Sequence, residues 1–154
     1  MEWCTYNRYV KTARKLKGMK HTIFLAKHSQ SDEVLGMVEV GMTVRPPNGI
    51  VVPTMGVLCV DPDFQRCGIG TLLVHETEHL VQNVWNLTTS VTTTSIHVEI
   101  ETDNPNSLAF FKSRGYAIEE DDENNVNVLE KGIIVEKKPC WVVTKPIQDI
   151  SSEV

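Results

Sequence analysis

One stretch in the middle of the chain constrains the fold more than any other. Thr54–Val60 is largely apolar and β-prone, and Asp61-Pro62-Asp63 stops it. A loop with two glycines follows, Gln65-Arg66-Cys67-Gly68-Ile69-Gly70, and opens the clearest helical pattern of the chain, from Ile69 to about Trp85. A buried strand, a tight polar turn and a helix in direct succession indicate a mixed α/β fold.

The segment before this stretch predicts one helix and one hairpin. Apolar residues recur every three or four positions from Tyr6 to Met19, which is typical of an amphipathic helix. Thr22–Lys27 and Val34–Val40 are β-prone runs around a polar turn, and we expect them to pair. Arg45-Pro46-Pro47-Asn48-Gly49 breaks regular structure and predicts a loop.

The segment after it predicts strands and one short helix. Ser95–Glu101 alternates apolar and polar residues, as a half-buried strand does. A helix from about Pro105 to Arg114 ends at Gly115. The central helix places Ile69, Leu72, Leu73, Leu80 and Val84 on its apolar side, and the last strand candidates are Tyr116–Glu119, 126–135 and Trp141–Thr144.

Size and composition favour a single ordinary domain. The 154 residues suffice for one core, so we predict one domain over 1–148 and a flexible tail over 149–154. No apolar run approaches the roughly 20 residues of a membrane span, and no signal peptide is evident, so we expect a cytoplasmic or nuclear protein without a membrane partner. The net charge of −5 argues against nucleic-acid binding, and four cysteines without a C-x-x-C pair predict reduced thiols.

The glycine loop has the chemistry of a phosphate site. Backbone N–H groups at a helix N-terminus lack partners within the helix and lie at the positive end of its dipole. Gly68 and Gly70 let a pyrophosphate approach the backbone, Thr71 adds a hydroxyl, and Arg66 adds a positive charge at the rim. The spacing fits neither the dinucleotide-binding G-x-G-x-x-G nor a Walker loop.

Taken with its flanks, the loop resembles the acetyl-CoA signature of the GNAT superfamily, Q/R-x-x-G-x-G/A. Gln65, Gly68 and Gly70 stand at its fixed positions, and Val60 and Pro62 match the usual lead-in. The resemblance extends from about Ile23 to Trp141 and includes a second family segment, whose register holds Asn104, Phe111, Gly115 and Tyr116.

This resemblance implies an α/β (α+β) fold with a mixed, mostly antiparallel sheet flanked by helices, and an N-acetyltransferase that moves acetyl from coenzyme A directly to a primary amine. About one helix precedes Thr22, which is short for the family. The substrate site would then be open, completed by a second protomer of a homodimer, or incomplete because the chain is truncated. The implied contacts to acetyl-CoA come from Leu58, Cys59, Val60, Gln65, Arg66, Cys67, Gly68, Ile69, Gly70, Thr71, Asn104 and Phe111.

The amine must lose a proton, so a base is needed. The resemblance points to Glu99, five residues before Asn104, with Glu39 and His97 in reserve. Strand alternation alone would also place Glu99 with His97 and Glu101 on a solvent-facing side. Phe111 stands where the family commonly has its acid tyrosine. The leaving thiolate would then take its proton from water or from another donor such as Tyr116, or turnover would be poor.

Three further features bear on function. Cys59 lies in an apolar strand, so we expect inert core rather than a nucleophile. The acidic run 119–123 could attract a cationic acceptor, but we favour a solvated, mobile loop, because blocks of like charge are usually disordered. Two functional alternatives remain. One is a non-catalytic acyl-CoA-binding module, which Phe111 and the short N-terminal region motivate, and the other is a zinc hydrolase using His75-Glu76-Thr77-Glu78-His79. The zinc hydrolase is the remote alternative, because the same helix already begins at the phosphate-binding loop and no third zinc ligand is evident. We therefore expect no metal.

Overall fold

The computed structural model describes residues 2–6, 20–45, 49–85, 95–119, 125–130 and 133–147. They belong to two compact units, Met1–Ile96 with Ile147–Val154, and His97–Pro146. The single domain over 1–148 stays a prediction, and the tail lies outside the described residues. The elements are β1 (Glu2–Tyr6), β2 (His21–Lys27), β3 (Val34–Arg45), β4 (Ile50–Val60), α1 (Ile69–His79), β5 (Ser95–Glu101), α2 (Pro105–Lys112), β6 (Ala117–Ile118), β7 (Asn125–Glu130) and β8 (Ile133–Pro146).

In the first unit, β1 to β4 pair in chain order, each antiparallel to the next. The predicted β2–β3 hairpin is confirmed, with Phe24 opposite Val38. Its turn is closed by the His28 N–H, which donates to the Glu33 carbonyl at 2.8 Å. β1 was not predicted. The helix expected from Tyr6 to Met19 lies outside the described residues, apart from Tyr6 itself, which ends β1.

The β3–β4 hairpin is longer than its sequence predicts. The ladder continues past Val40 to Arg45, which lies opposite Ile50. Arg45 is therefore in a strand and not in the expected loop. The reason is cross-strand pairing, since β-branched residues such as Val44 and Val51 face each other along this extension.

α1 packs on one face of this sheet. That face carries Phe24, Ala26, Val38 and Val40, all buried. The helix approaches β3 most closely at Gly36, where an added Cβ would lie 3.2 Å from Ile69 Cγ2 and 3.3 Å from Leu73 Cδ1. The buried residues of the helix are Ile69, Leu73, Val74 and Thr77.

The end of this helix departs from the predicted pattern. Leu80–Val84 forms a π-helical turn, in which the Trp85 N–H donates to the Leu80 carbonyl at 2.8 Å. A π-turn holds more residues than an α-turn, so the buried face shifts by about one position. Val81 and Trp85 are therefore buried, whereas Val84, predicted on the apolar face, is 63% exposed.

The second unit contains most of β5 and all of β6, β7 and β8. β8 has β5 and β6 as neighbours, and it pairs antiparallel with β6 and with β7. β5 and α2 match their predicted spans closely. The single strand predicted over 126–135 is wrong, because the chain there forms β7 and the start of β8, which pair with each other. No helix among the described residues has the length and apolar character needed to span a bilayer.

Candidate functional site

The turn after β4 is fixed by its own hydrogen bonds. The Asp61 N–H donates to the Leu35 carbonyl at 2.8 Å, and the Asp61 carboxylate accepts from the Asp63 N–H at 2.9 Å. The Gln65 side-chain amide donates to the Val60 carbonyl at 3.3 Å. Gln65 thus ties the loop back to the last residue of β4.

The loop then enters α1 through two left-handed residues, Arg66 with φ 67° and Gly68 with φ 83°. Gly68 is the N-cap of α1, and its carbonyl accepts from the Leu72 N–H at 3.0 Å. An added Cβ at Gly68 would meet nothing within 4 Å, so open space adjoins the backbone there. Residues 65–68 are all exposed.

The N–H groups of Ile69 and Gly70 occupy the first turn of α1, where an α-helix supplies no internal acceptor. Thr71 follows in the same turn and is exposed. The predicted phosphate-loop residues therefore lie together as a glycine turn, a left-handed arginine and a helix N-terminus. This arrangement can accept an anionic group from the solvent side.

The end of β4 presents one side chain that was expected to be buried. Leu58, Cys59 and Val60 pair with Val38, Met37 and Gly36. Directly paired residues share a face, and Gly36 and Val38 face α1, so Cys59 lies on the opposite face with Met37. Cys59 is exposed, and the expectation of an inert core thiol is wrong. Cys67 is exposed as well, with its Sγ 3.6 Å from the Gln65 carbonyl oxygen.

On that same opposite face, Glu39 and His21 form a close pair. Glu39 Oε1 lies 2.5 Å from His21 Nε2, and their side chains are 39% and 19% exposed. The β3–β4 register shifts here, between Val38 opposite Leu58 and Val40 opposite Met55. A β-bulge therefore lies in β4 across from Glu39.

In the second unit, β5 departs from simple alternation. Glu99 and Glu101 are exposed as expected, but His97 is buried, at 8% exposure. His97 Nδ1 lies 3.7 Å from Glu119 Oε2, and this carboxylate gives the buried imidazole a polar partner. Of the three acid–base candidates, Glu99 is the most exposed to solvent and His97 the least.

Asn104 has a structural task at the start of α2. It is the N-cap, and its Oδ1 accepts from the Ser107 N–H at 3.1 Å. Pro105 follows at the first helical position, where a missing N–H costs nothing. Asn104 itself is exposed. Since its oxygen is engaged, the side-chain nitrogen is the part of Asn104 that can donate to a ligand.

Phe111 and Tyr116 form an aromatic core rather than an open contact surface. Their ring centroids are 5.2 Å apart in an edge-to-face arrangement, and Phe110 contacts Phe111 in the same way at 5.2 Å. Phe111 is 4% exposed and Tyr116 is 3% exposed. The contact of Phe111 with a ligand stays a prediction, and Tyr116 has little access to solvent as a proton donor.

The H-E-x-x-H segment lies on α1 with both histidines exposed. His75 Nδ1 is 3.7 Å from Glu76 Oε1 of its own segment. Over the described ranges, no group of three or more His, Cys, Asp and Glu side chains is placed to hold a metal ion. The zinc-hydrolase alternative therefore gains no third ligand from the part of the chain that the structure describes. Of the acidic run 119–123, only Glu119 is described.

Sequence reasoning did not identify the Glu39–His21 pair as a unit, nor the pairing of His97 with Glu119. Glu39 and His97 appeared only as single reserve candidates. The residues of each pair are far apart in the chain, so only strand register brings them together. The one available signal was the strand pattern, which places His21 and Glu39 on the same side of a hairpin once its register is known.

Residues 19–118 match the family model described as acetyltransferase (GNAT) domain. No curated protein matches the chain by sequence. Many solved structures share the fold.

Three of these structures illustrate the likeness. Arabidopsis thaliana Naa50 in complex with a bisubstrate analogue, CoA-Ac-MVNAL, is 20% identical, with 80% of this chain and 71% of that chain covered and a TM-score of 0.53. The spermidine/spermine N-acetyltransferase SpeG from Vibrio cholerae is 13% identical, with 82% and 67% covered and a TM-score of 0.56. A GNAT-family protein from Desulfovibrio desulfuricans, described as a putative acetyltransferase, is 15% identical, with 83% and 70% covered and a TM-score of 0.58. At these identities the likeness concerns the fold, and it confirms the predicted GNAT-like α/β architecture.

Proposed function

The chain belongs to the GNAT acetyltransferase family, and we propose that it transfers acetyl from acetyl-CoA directly to a primary amine. The observation that carries this proposal is the exposed turn from Gln65 to Gly68 at the start of α1. Its residues fit a phosphate ligand, because the backbone is uncovered at Gly68 and space adjoins it. The first-turn N–H groups and the positive end of the helix dipole favour an anion at this place.

Arg66 and Gln65 have separate tasks in this proposal. The guanidinium of Arg66 contributes positive charge at the rim of the loop, and its left-handed backbone forms part of the turn. Gln65 holds the turn against the Val60 carbonyl, so it positions the loop. Backbone groups of Leu58, Cys59 and Val60 bind the pantetheine arm, and Cys67, Ile69, Gly70 and Thr71 complete the loop that holds the pyrophosphate.

Asn104 and Phe111 also bind the donor in this proposal. The side-chain nitrogen of Asn104 donates a hydrogen bond to it, while the oxygen of the same amide continues to cap α2. Phe111 packs against the donor from the aromatic core that it forms with Phe110 and Tyr116. Its burial supports a role in shaping the site and not in proton transfer.

Glu99 accepts the proton of the amine in this proposal. It is exposed on β5, so an amine and water can reach its carboxylate. Bound acetyl-CoA supplies an activated thioester, which a neutral amine can attack. Positioned general bases of this kind contribute about 10²–10⁴-fold to a rate. The proton that the coenzyme A thiolate takes up comes from water, because Phe111 has no proton to donate and Tyr116 is buried.

A non-catalytic acyl-CoA-binding module is the second candidate, and the absence of a hydroxyl at Phe111 is the observation that favours it. The two candidates share the binding loop and differ in turnover. An exposed carboxylate at Glu99 supports the enzyme. Coenzyme A release that depends on an amine would exclude the non-catalytic module.

The binding step is tested by calorimetric titration with acetyl-CoA. The parent protein is compared with Gly68→Trp, which fills the open space of the loop, and with Gly49→Trp as a matched control. Gly49 also has a positive φ, 65°, and nothing within 4 Å of an added Cβ, so both changes impose similar backbone strain. We expect saturable binding in the parent and in Gly49→Trp, and its loss in Gly68→Trp. Equal binding by all three proteins would contradict the assignment of the loop.

A further inference from the structure

The Glu39–His21 pair has no part in the transfer proposed above. Its members lie on β3 and β2, on the face of the sheet opposite α1, with 2.5 Å between Glu39 Oε1 and His21 Nε2. An ionised carboxylate only accepts hydrogen bonds, so the Nε2–H of His21 donates. One carboxylate oxygen is thus held by the imidazole. The side chain of Glu39 is still 39% exposed, so the carboxylate can accept further donors from a ligand.

Two glycines leave the pair uncovered. An added Cβ at Gly41 would lie 3.0 Å from His21 Cδ2, so the imidazole occupies the space that a side chain on β3 would take. Gly56 lies at the bulge in β4, where an added Cβ would be 3.7 Å from Glu39 Cβ. Glycine inside a strand weakens it and often marks a bulge or a close approach by a ligand or another backbone. Here Gly41 leaves room for the imidazole of His21, and Gly56 leaves the space beside the Glu39 side chain without a neighbouring side chain of its own.

We propose that the Glu39–His21 pair binds a second, protonated nitrogen of the acceptor, so that this chain prefers diamines and polyamines to monoamines of the same length. This inference rests on the proposed function. A carboxylate beside an ammonium group favours its charged form, and a charged nitrogen is not a nucleophile. The nitrogen held by Glu39 is therefore a recognition group, distinct from the nitrogen that is acetylated. The net charge of −5 also favours a cationic acceptor.

The test compares 1,4-diaminobutane with 4-amino-1-butanol, which has the same chain length and a hydroxyl in place of the second nitrogen. We expect the parent to prefer the diamine by about tenfold or more in kcat/KM, the range of one charge-assisted hydrogen bond. Glu39→Gln keeps the shape and removes the charge, and it should abolish most of this preference by raising KM for the diamine. Glu33→Gln, in the exposed β2–β3 turn, removes the same charge elsewhere and should leave the preference intact.

A second variant tests the same proposal in case Glu39→Gln does not fold. Gly56→Leu leaves the pair itself intact and covers the carboxylate from the neighbouring strand, and it should reduce the preference for the diamine in the same way. An unchanged preference in folded Glu39→Gln would overturn the proposal.

Failure of the proposed acetyl transfer can be distinguished from failure of the Glu39–His21 site. If no amine releases coenzyme A, the proposed function fails, and the pair is then tested by calorimetric titration with 1,4-diaminobutane alone. Saturable binding by the parent that is lost in Glu39→Gln would still support the anchor. No binding by the parent would overturn it.

Discussion

Gly36 packs so closely against Cys59 of the neighbouring strand that a Cβ added at Gly36 would lie 2.9 Å from the Cys59 carbonyl oxygen. Real Cβ atoms do not approach a backbone oxygen so closely, and α1 closes the space from the other side through Ile69 and Leu73. Because Gly36 has no side chain, α1 and the end of β4 can both pack closely against this point of β3. The loop that we assign to the donor pyrophosphate begins at that end.

Gly36→Ala should therefore destabilise the protein. Neither a strand backbone nor a packed helix yields cheaply, so we expect a loss of about 1–3 kcal/mol in the free energy of unfolding. Urea unfolding followed by circular dichroism measures it. Gly56→Ala is the control, since its added Cβ makes ordinary contacts at 3.7 Å, and it should change stability by less than about 0.5 kcal/mol. Equal stabilities of the two variants would contradict the packing described for Gly36.

The π-turn after α1 predicts which valine supports the core. Val81 is fully buried and Val84 is 63% exposed, whereas an unbroken α-helix would put Val84 on the apolar face. Val81→Ala should cost about 1–3 kcal/mol in the free energy of unfolding, and Val84→Ala should be close to neutral. Thermal and urea unfolding of the two variants measure these changes in the free energy of unfolding. A larger loss for Val84→Ala would show that the helix continues as a regular α-helix.

Asn104 caps α2 and, in our proposal, binds acetyl-CoA, and two substitutions distinguish these roles. Asn104→Asp keeps an oxygen that caps α2, because Asp and Asn are comparable N-caps, but it replaces the amide donor by a carboxylate. We expect this variant to keep parental stability and to bind acetyl-CoA at least tenfold more weakly. Asn104→Ala should lose both, with about 0.5–2 kcal/mol of stability from the missing cap. If Asn104→Asp binds acetyl-CoA with parental affinity, the proposed contact between the Asn104 side chain and acetyl-CoA is contradicted.

Glu99 predicts a change in rate without a change in donor binding. Glu99→Gln should lower kcat by about 10²–10⁴-fold and leave the calorimetric affinity for acetyl-CoA unaltered. Glu101→Gln provides the comparison, because Glu101 is an exposed carboxylate two residues further along β5. It should retain parental kcat. If Glu99→Gln and Glu101→Gln turn over alike, the proton goes to another acceptor.

Local features of the fold were predictable from the sequence. The glycine loop, the start of α1 at Ile69 and the span Ser95–Glu101 of β5 each depend on signals within one segment, such as a left-handed glycine or an alternating pattern. The end of α1 was not predictable in the same way, because a π-turn at Leu80–Val84 has no distinct composition. The buried face therefore moved away from Val84.

Side-chain pairs between distant segments were the part that sequence could not supply. His21 reaches Glu39 because two strands pair in one register and Gly41 makes room for the imidazole. Strand alternation alone would place His97 on the solvent-facing side, yet His97 is buried with Glu119 as a polar partner. The same holds for Cys59, whose exposure follows from which face of the sheet α1 covers. A one-residue change of register would reverse each of these outcomes.

The central claim is acetyl transfer, and a coupled measurement tests it most directly. The parent protein is incubated with acetyl-CoA and 1,4-diaminobutane, or with 4-amino-1-butanol, while released thiol is assayed and the amine is analysed by mass spectrometry. We predict one equivalent of free coenzyme A for each acetylated amine, with release that requires the amine and that falls in Gly68→Trp and Glu99→Gln. Saturable acetyl-CoA binding without amine-dependent release of coenzyme A from either substrate would contradict the account.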